Sequence, residues 1–97
     1  MTLTKEQRDE IEKRVFGLVS EQSGESFNYV IPTARLKKDL GLDSMDFIEL
    51  TMELEEEFSS NDFVHDFVFD ISDEEQEGIK TVGDIVNLVI QKIEAEG

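Results

Sequence analysis

The run from Phe47 to Phe58 restricts the fold of this chain most, because apolar residues recur there three and four positions apart among acidic ones. At 100° per residue, these side chains share one face of a helix and predict its buried side. That face holds Phe47, Leu50, Thr51, Leu54 and Phe58. Upstream, Gly41 provides a turn, and Asp43 or Ser44 can cap the helix, since a short side-chain oxygen accepts an unpaired backbone N–H. The sequence therefore predicts an amphipathic helix that begins near Ser44.

Three other segments also predict helices. Thr4 and Gln7 have the spacing of a capping box, and a helix from about Lys5 to Gln22 follows. A short helix over Asp73–Glu77 and a longer one over roughly Val82–Glu94 complete the pattern. We therefore predict an all-α fold, a small antiparallel helical bundle with three long helices and one short helix. Because 97 residues support only one core, we expect a single domain over residues 1–97.

Two stretches lie outside these helices. Residues 25–43 form a long connection, in which Pro32 prevents a continuous helix and Thr33 can cap one turn over Ala34–Lys38. Its basic cluster, residues 35–38, is interpreted as a solvated turn that offsets nearby acids and not as a phosphate site. Residues 59–70 contain five apolar side chains. We expect them to pack on the bundle as an extra helical turn over the groove between the second and third helices.

The chain is strongly acidic, since 24 Asp and Glu residues against 9 Lys and Arg residues give a net charge of −15. Such a charge repels nucleic acid and opposes self-association, so we expect a monomer whose partners have basic docking patches. The sequence has no Cys for a disulfide or a thiolate metal site. It also lacks a secretory signal and an apolar run near the ~20 residues that span a bilayer. These features predict a cytoplasmic protein without membrane association.

A second apolar patch lies on the helix that begins near Ser44. Met45, Ile48 and Met52 form this methionine patch, which is rotated away from the predicted core face. Two interpretations remain open. The patch packs beneath the long connection or residues 59–70, or it binds a partner through adaptable methionines next to carboxylates. Those carboxylates belong to Glu49, Glu53 and Glu56.

The residues around Ser44 resemble the attachment motif of acyl carrier proteins, in which Asp-Ser-Leu or Asp-Ser-Met precedes a Glu-rich recognition helix. Ile71-Ser72-Asp73-Glu74-Glu75 and Ile79-Lys80-Thr81-Val82 resemble that family's short third helix and the entry to its fourth. The resemblance covers nearly the whole chain except residues 59–70, an atypical insertion. The length and this insertion suggest a free-standing, specialised member.

The resemblance implies a carrier with no catalytic residue and no metal site. A phosphopantetheinyl transferase would attach 4′-phosphopantetheine from coenzyme A to Ser44, which Asp43 precedes. The arm would then present acyl thioesters to the acyl-transferring and condensing enzymes of fatty acid, polyketide or specialised lipid synthesis. The implied partner-binding residues are Met45, Asp46, Glu49, Met52, Glu53 and Glu56. The implied acyl cavity consists of Phe47, Ile48, Leu50, Leu54, Ile71 and Ile79.

Two alternatives compete with a carrier. Hydrolysis by Ser44 would need a base, but the only histidine is His65 and no Gly-x-Ser-x-Gly turn is present. An acidic helical module that binds a protein through the methionine patch, without any prosthetic group, is the stronger alternative. Modification of Ser44 distinguishes that module from a carrier.

Overall fold

The computed structural model describes residues 2–59 and 69–96, and within them it confirms the all-α fold. Three long helices and one short helix follow one another, and the described residues form no strand. The helices are α1 (Lys5–Ser23), α2 (Ser44–Phe58), α3 (Asp73–Gly78) and α4 (Val82–Glu96). All four begin where the sequence predicts, near Lys5, Ser44 and Val82 and at Asp73.

Local side-chain chemistry determines where the helices begin. The Gln7 N–H donates to Thr4 Oγ1 at 3.1 Å, and Gln7 Oε1 accepts from the Thr4 N–H at 2.9 Å, so the predicted capping box at the start of α1 is confirmed. Ser72 and Glu75 form a second capping box at the start of α3. Helix α1 ends at Gly24, whose φ of 74° favours glycine and whose N–H donates to the Ser20 carbonyl oxygen at 2.9 Å.

The core lies where α1 packs against α2 and α4. Each long helix contributes fully buried side chains at helical spacing, and burial of this apolar surface is the main stabilising contribution. These side chains include Ile11, Val15 and Val19 from α1, Leu50, Leu54 and Phe58 from α2, and Val82, Ile85, Val89 and Ile93 from α4. Thr51 is also buried, as its place on the predicted core face requires, and its hydroxyl donates to the Ile48 carbonyl oxygen at 2.7 Å.

Backbone hydrogen bonds tie the connection between α1 and α2 to the start of α4. Leu36 is buried as expected, and its N–H donates to the Lys80 carbonyl oxygen at 3.0 Å beside an isolated β-bridge between Arg35 and Thr81. The turn predicted over residues 34–38 lies instead over residues 36–40. Asp39, and not Thr33, stabilises this turn, because its Oδ2 accepts the Arg35 N–H at 2.7 Å.

Residues 60–68 of the predicted insertion, including the expected helical turn, fall outside the described residues. The described residue Phe69 is 2% exposed, and its ring packs edge-on against Phe58, with centroids 6.0 Å apart. Two hydrogen bonds connect this segment to the end of α2. Phe69 N–H donates to Ser59 Oγ at 3.0 Å, and Ile71 N–H donates to Glu55 Oε2 at 3.1 Å.

Candidate functional site

Asp43 and Asp46 determine the geometry at the start of α2. The Asp46 N–H donates to Asp43 Oδ1 at 2.8 Å, and the Asp43 N–H donates to Asp46 Oδ2 at 3.2 Å. The cap is therefore Asp43, which decides between the two capping residues that the sequence allows. Because Asp43 caps the helix, the Ser44 side chain is not needed for capping.

Ser44 is the first residue of α2 and is exposed. Within residues 2–59 and 69–96, its hydroxyl makes no hydrogen bond and the N–H groups of Ser44 and Met45 have no acceptor. An exposed hydroxyl beside two unpaired N–H groups, at the positive end of a helix dipole, suits a phosphate ester. The side chains around Ser44 therefore fit a phosphate-linked group on its oxygen.

The methionine patch faces outward. Met45 is 71% exposed, Met52 62% and Ile48 54%. The first of the two interpretations requires the long connection or residues 59–70 to cover the patch. Within the described residues, the long connection does not cover it. Ile48, which the sequence assigns to docking or to a cavity, thus lies on the outer face of α2.

The acidic residues beside this patch differ in their surroundings. Glu56 is exposed, and Glu49 is exposed but accepts a hydrogen bond on Oε2 from Gln22 Nε2 at 2.8 Å. Glu53 is half-buried. Its Oε2 is inaccessible to water and has no hydrogen-bond partner among the described residues. Asp46 is half-buried in the capping box. The structure therefore leaves Glu49 and Glu56 best exposed for an approaching cation.

The six residues predicted to line an acyl cavity lie in four different environments. Leu50 and Leu54 are completely buried in the core, Ile71 and Ile79 are buried near α3, and Ile48 is on the surface. Phe47 is half-buried. Of the six, only Phe47 and Ile79 line a groove of about 630 Å³ between the start of α2, residues 35–38 and α3.

The groove has apolar walls and a basic rim. Leu36, Phe47 and Ile79 form the apolar part. The rim contains four cations, which are Arg35, Lys37, Lys38 and Lys80. We call it the basic groove. The sequence identifies the 35–38 cluster but not Lys80, which is distant along the chain. The hydrogen bond from Leu36 N–H to the Lys80 carbonyl oxygen and the bridge between Arg35 and Thr81 bring Lys80 to the cluster.

One of these cations has a partner. Arg35 Nε and Asp39 Oδ2 are 3.3 Å apart, and the Arg35 Nη2 also lies 3.3 Å from Oδ1. Hydrogen bonds from the Arg35 guanidinium, and then from its backbone N–H, hold the pKa of Asp39 below its ordinary value. Lys37, Lys38 and Lys80 are exposed and form no ion pair with the described residues.

Helix α3, which forms one side of the basic groove, is attached to α4 by Glu75. Its Oε1 accepts the Ser72 N–H at 2.9 Å and lies 3.0 Å from Lys92 Nζ. The Ser72 N–H, followed by the Lys92 ammonium, lowers the pKa of the Glu75 carboxyl. A six-residue helix has little intrinsic stability, so these contacts fix the position of the groove wall.

The described residues contain no cluster of three or more His, Cys, Asp or Glu side chains able to hold a metal ion. Among them, no helix has the length and apolar character needed to span a membrane.

The chain matches the sequence model of a known family. The sequence model of a family described as "Phosphopantetheine attachment site" matches residues 14–89, which are 76 of the 97 residues. The matched range includes the exposed serine at the start of α2, the basic groove and α3.

Proposed function

The chain belongs to the phosphopantetheine-attachment-site family, which includes the acyl carrier proteins, and we propose that its arm is attached to the Oγ of Ser44. Members of this family are carriers of covalent 4′-phosphopantetheine and not enzymes, so the resemblance and the cofactor inferred from the sequence are confirmed. The attachment atom, the cargo and the partners make up the proposal.

The exposed, unbonded Ser44 hydroxyl carries the proposal. In the transfer, a bond forms between Ser44 Oγ and the phosphorus on the pantetheine side of coenzyme A. The pyrophosphate bond breaks, adenosine 3′,5′-bisphosphate leaves, and the transferase takes the hydroxyl proton. The phosphodiester then lies at the N-terminus of α2, where the helix dipole favours negative charge. Because Asp43 does the capping, modification costs the helix no hydrogen bond.

The proposed cargo is an acyl group, held as a thioester at the end of the arm and presented to enzymes of fatty acid, polyketide or specialised lipid synthesis. The exposed methionine patch supports this role. Apolar, adaptable side chains with exposed carboxylates beside them match the anatomy of a protein interface with a polar rim. We propose that Met45, Asp46, Glu49, Met52, Glu53 and Glu56 contact basic patches on the transferase and on acyl-handling enzymes.

Intact mass tests the attachment atom. The protein is incubated with coenzyme A and a phosphopantetheinyl transferase of broad specificity, and we expect the wild type to gain one phosphopantetheine. Ser44→Ala should gain none. Ser26→Ala is the matched control, because Ser26 is also exposed and its side chain makes no hydrogen bond among the described residues.

Two results contradict the proposal. If Ser44→Ala still gains the full mass, the arm is attached elsewhere. If the folded wild type gains nothing while a known carrier in the same tube is modified, the chain acts without the arm. The latter result favours the acidic interaction module that uses the methionine patch.

A further inference from the structure

The distribution of charge around the basic groove differs from that of the whole chain. The protein has a net charge of −15, yet four of its 9 Lys and Arg residues line this one groove. Among the described residues Glu77 lines the groove and Asp39 pairs with Arg35 beside it, so cations still outnumber these acids by four to two. A carboxylate near this groove meets net positive charge, whereas the summed charge of the protein repels it.

Three of the four cations have no ion-pair partner within residues 2–59 and 69–96. The Arg35 guanidinium is engaged by Asp39, but Lys37, Lys38 and Lys80 are exposed and have no ion pair among the described residues. A lysine ammonium is a compact charge on a flexible stem, so it can reach an anion at the rim without fixed geometry. The lysines are therefore suited to an anionic group of variable position, such as the end of a tethered chain.

The groove lies on the same side of α2 as Ser44. Phe47, which lines the groove, follows Ser44 by three positions, and residues at this spacing are neighbours on a helix surface. A volume of about 630 Å³ is in the usual range for sites that enclose a small organic ligand. An arm on Ser44 that folds back along this side of α2 can therefore reach both the apolar side chains and the ammonium groups of the groove.

We propose that the basic groove selects acyl groups with a second, free carboxylate, such as half-thioesters of dicarboxylic acids, over uncharged acyl groups of the same length. This inference rests on the proposed attachment at Ser44. The aliphatic part of the group packs against Leu36, Phe47 and Ile79, and its carboxylate pairs with Lys37, Lys38 and Lys80. An alkyl end would leave these lysines unpaired and would gain only the apolar contact.

The test compares three forms of the protein loaded at Ser44: the unacylated arm, a pentanoyl arm and a pentanedioyl arm, each acyl group joined by a stable amide. Intact mass first establishes that loading is complete. Amide chemical shifts of Phe47, Ile79 and Lys80 then report how far each arm occupies the groove. We expect the pentanedioyl form to have a roughly threefold higher ratio of seated to free arm than the pentanoyl form, the size typical of exposed ion pairs.

Charge reversal identifies the source of this difference. In K37E/K38E the preference should disappear or reverse, whereas K5E/K13E, the same double reversal at exposed positions of α1 outside the groove, should retain it. Raising the salt concentration from about 0.1 M to about 1 M shortens the Debye length from about 10 Å to about 3 Å, so it should reduce the preference in the wild type.

Failure of the inference differs from failure of the attachment. If no arm can be loaded on Ser44, the proposed attachment is wrong. If loading is complete but the pentanoyl and pentanedioyl forms give the same shifts, the carboxylate selectivity is wrong and the attachment stands. If K37E/K38E changes all three forms equally, the lysines act on the phosphodiester common to them, and the selectivity is again overturned.

Discussion

The backbone N–H of Gly83 donates to the carbonyl oxygen of Pro32 at 2.8 Å, and this contact leaves no space for a side chain at position 83. A Cβ atom there would lie 2.9 Å from the same oxygen. The contact joins the long connection to the first turn of α4. It therefore helps to place residues 35–38 opposite Lys80, where together they form the rim of the basic groove.

We expect Gly83→Ala to destabilise the protein by about 1–3 kcal/mol, since a backbone atom and not a flexible side chain would have to move. Gly17→Ala is the control within a helix. A Cβ at Gly17 would lie 3.9 Å from Phe27 Cζ, an ordinary contact, so this variant should be about 0.5–1 kcal/mol more stable than the wild type. Urea denaturation measures both. Equal stability of Gly83→Ala and wild type would mean that the connection moves freely relative to α4.

The cap of α2 gives a second prediction. Asp43→Ala removes the oxygen that accepts the Asp46 N–H, and it should cost about 1 kcal/mol of folding free energy. Asp43→Asn retains an acceptor oxygen and should cost only a fraction of that. Amide hydrogen exchange at residues 46 and 47, whose N–H groups both donate to Asp43, should accelerate in the alanine variant alone, because the first turn frays. Unchanged exchange in Asp43→Ala would show that another group caps the helix.

The sequence predicts the helix starts well because each depends on side chains three positions apart. Thr4 with Gln7 and Ser72 with Glu75 form their capping boxes within one turn, so the information is local. The same reasoning left Asp43 and Ser44 as equal candidates, because both residue types cap a helix and only the coordinates show which one does. The family was also accessible, since the attachment motif and the residues around α3 lie in short contiguous stretches.

The basic groove was not predictable from the sequence because its parts are distant along the chain. Arg35 and Lys80 meet only through hydrogen bonds to the start of α4, whose register no local pattern determines. Residues 35–38 alone were interpreted as a solvated turn, and without Lys80 nothing in the sequence suggested a site. The packing of Phe69 on Phe58 likewise needs the path of the chain between them.

Asp84 gives a prediction about pH. Its Oδ2 accepts the N–H groups of Lys80 and Thr81, at 2.9 and 3.0 Å. Burial raises the pKa of the Asp84 carboxyl, but these donors outweigh it, and the pKa lies below the ordinary value. The ionised carboxylate thus stabilises the fold above the unfolded-state pKa of about 4, and this stabilisation is lost as pH falls through the lower folded-state value.

Asp84→Asn should therefore be about 1 kcal/mol less stable than the wild type at pH 7, and the difference should shrink as pH falls from about 5 to about 2. The comparison must be between the two proteins at each pH, because protonation of the other acids also relieves repulsion in a chain of charge −15. Urea midpoints at several pH values measure it. A difference that persists at pH 2 would mean that packing, and not the charge, is what the substitution removes.

Charge on α2 should control the rate at which the arm is attached. If Glu49 meets a basic patch on the transferase, Glu49→Lys puts like charges together and should slow the initial rate of phosphopantetheine transfer roughly three- to tenfold. Glu49→Gln should have a smaller effect on this rate, because it removes the negative charge without introducing a positive one. Its amide oxygen can still accept the hydrogen bond from Gln22. The effect should fade at high salt, where exposed charges are screened.

Asp9→Lys is the control for net charge, since it makes the same change at an exposed position of α1. If docking depends on the local surface around the methionine patch, this variant should load at nearly the wild-type rate. Equal slowing of Asp9→Lys and Glu49→Lys would contradict a docking face on α2, because the transferase would then respond only to the total charge of the protein. Circular dichroism of each variant establishes that the helices are intact before the rates are compared.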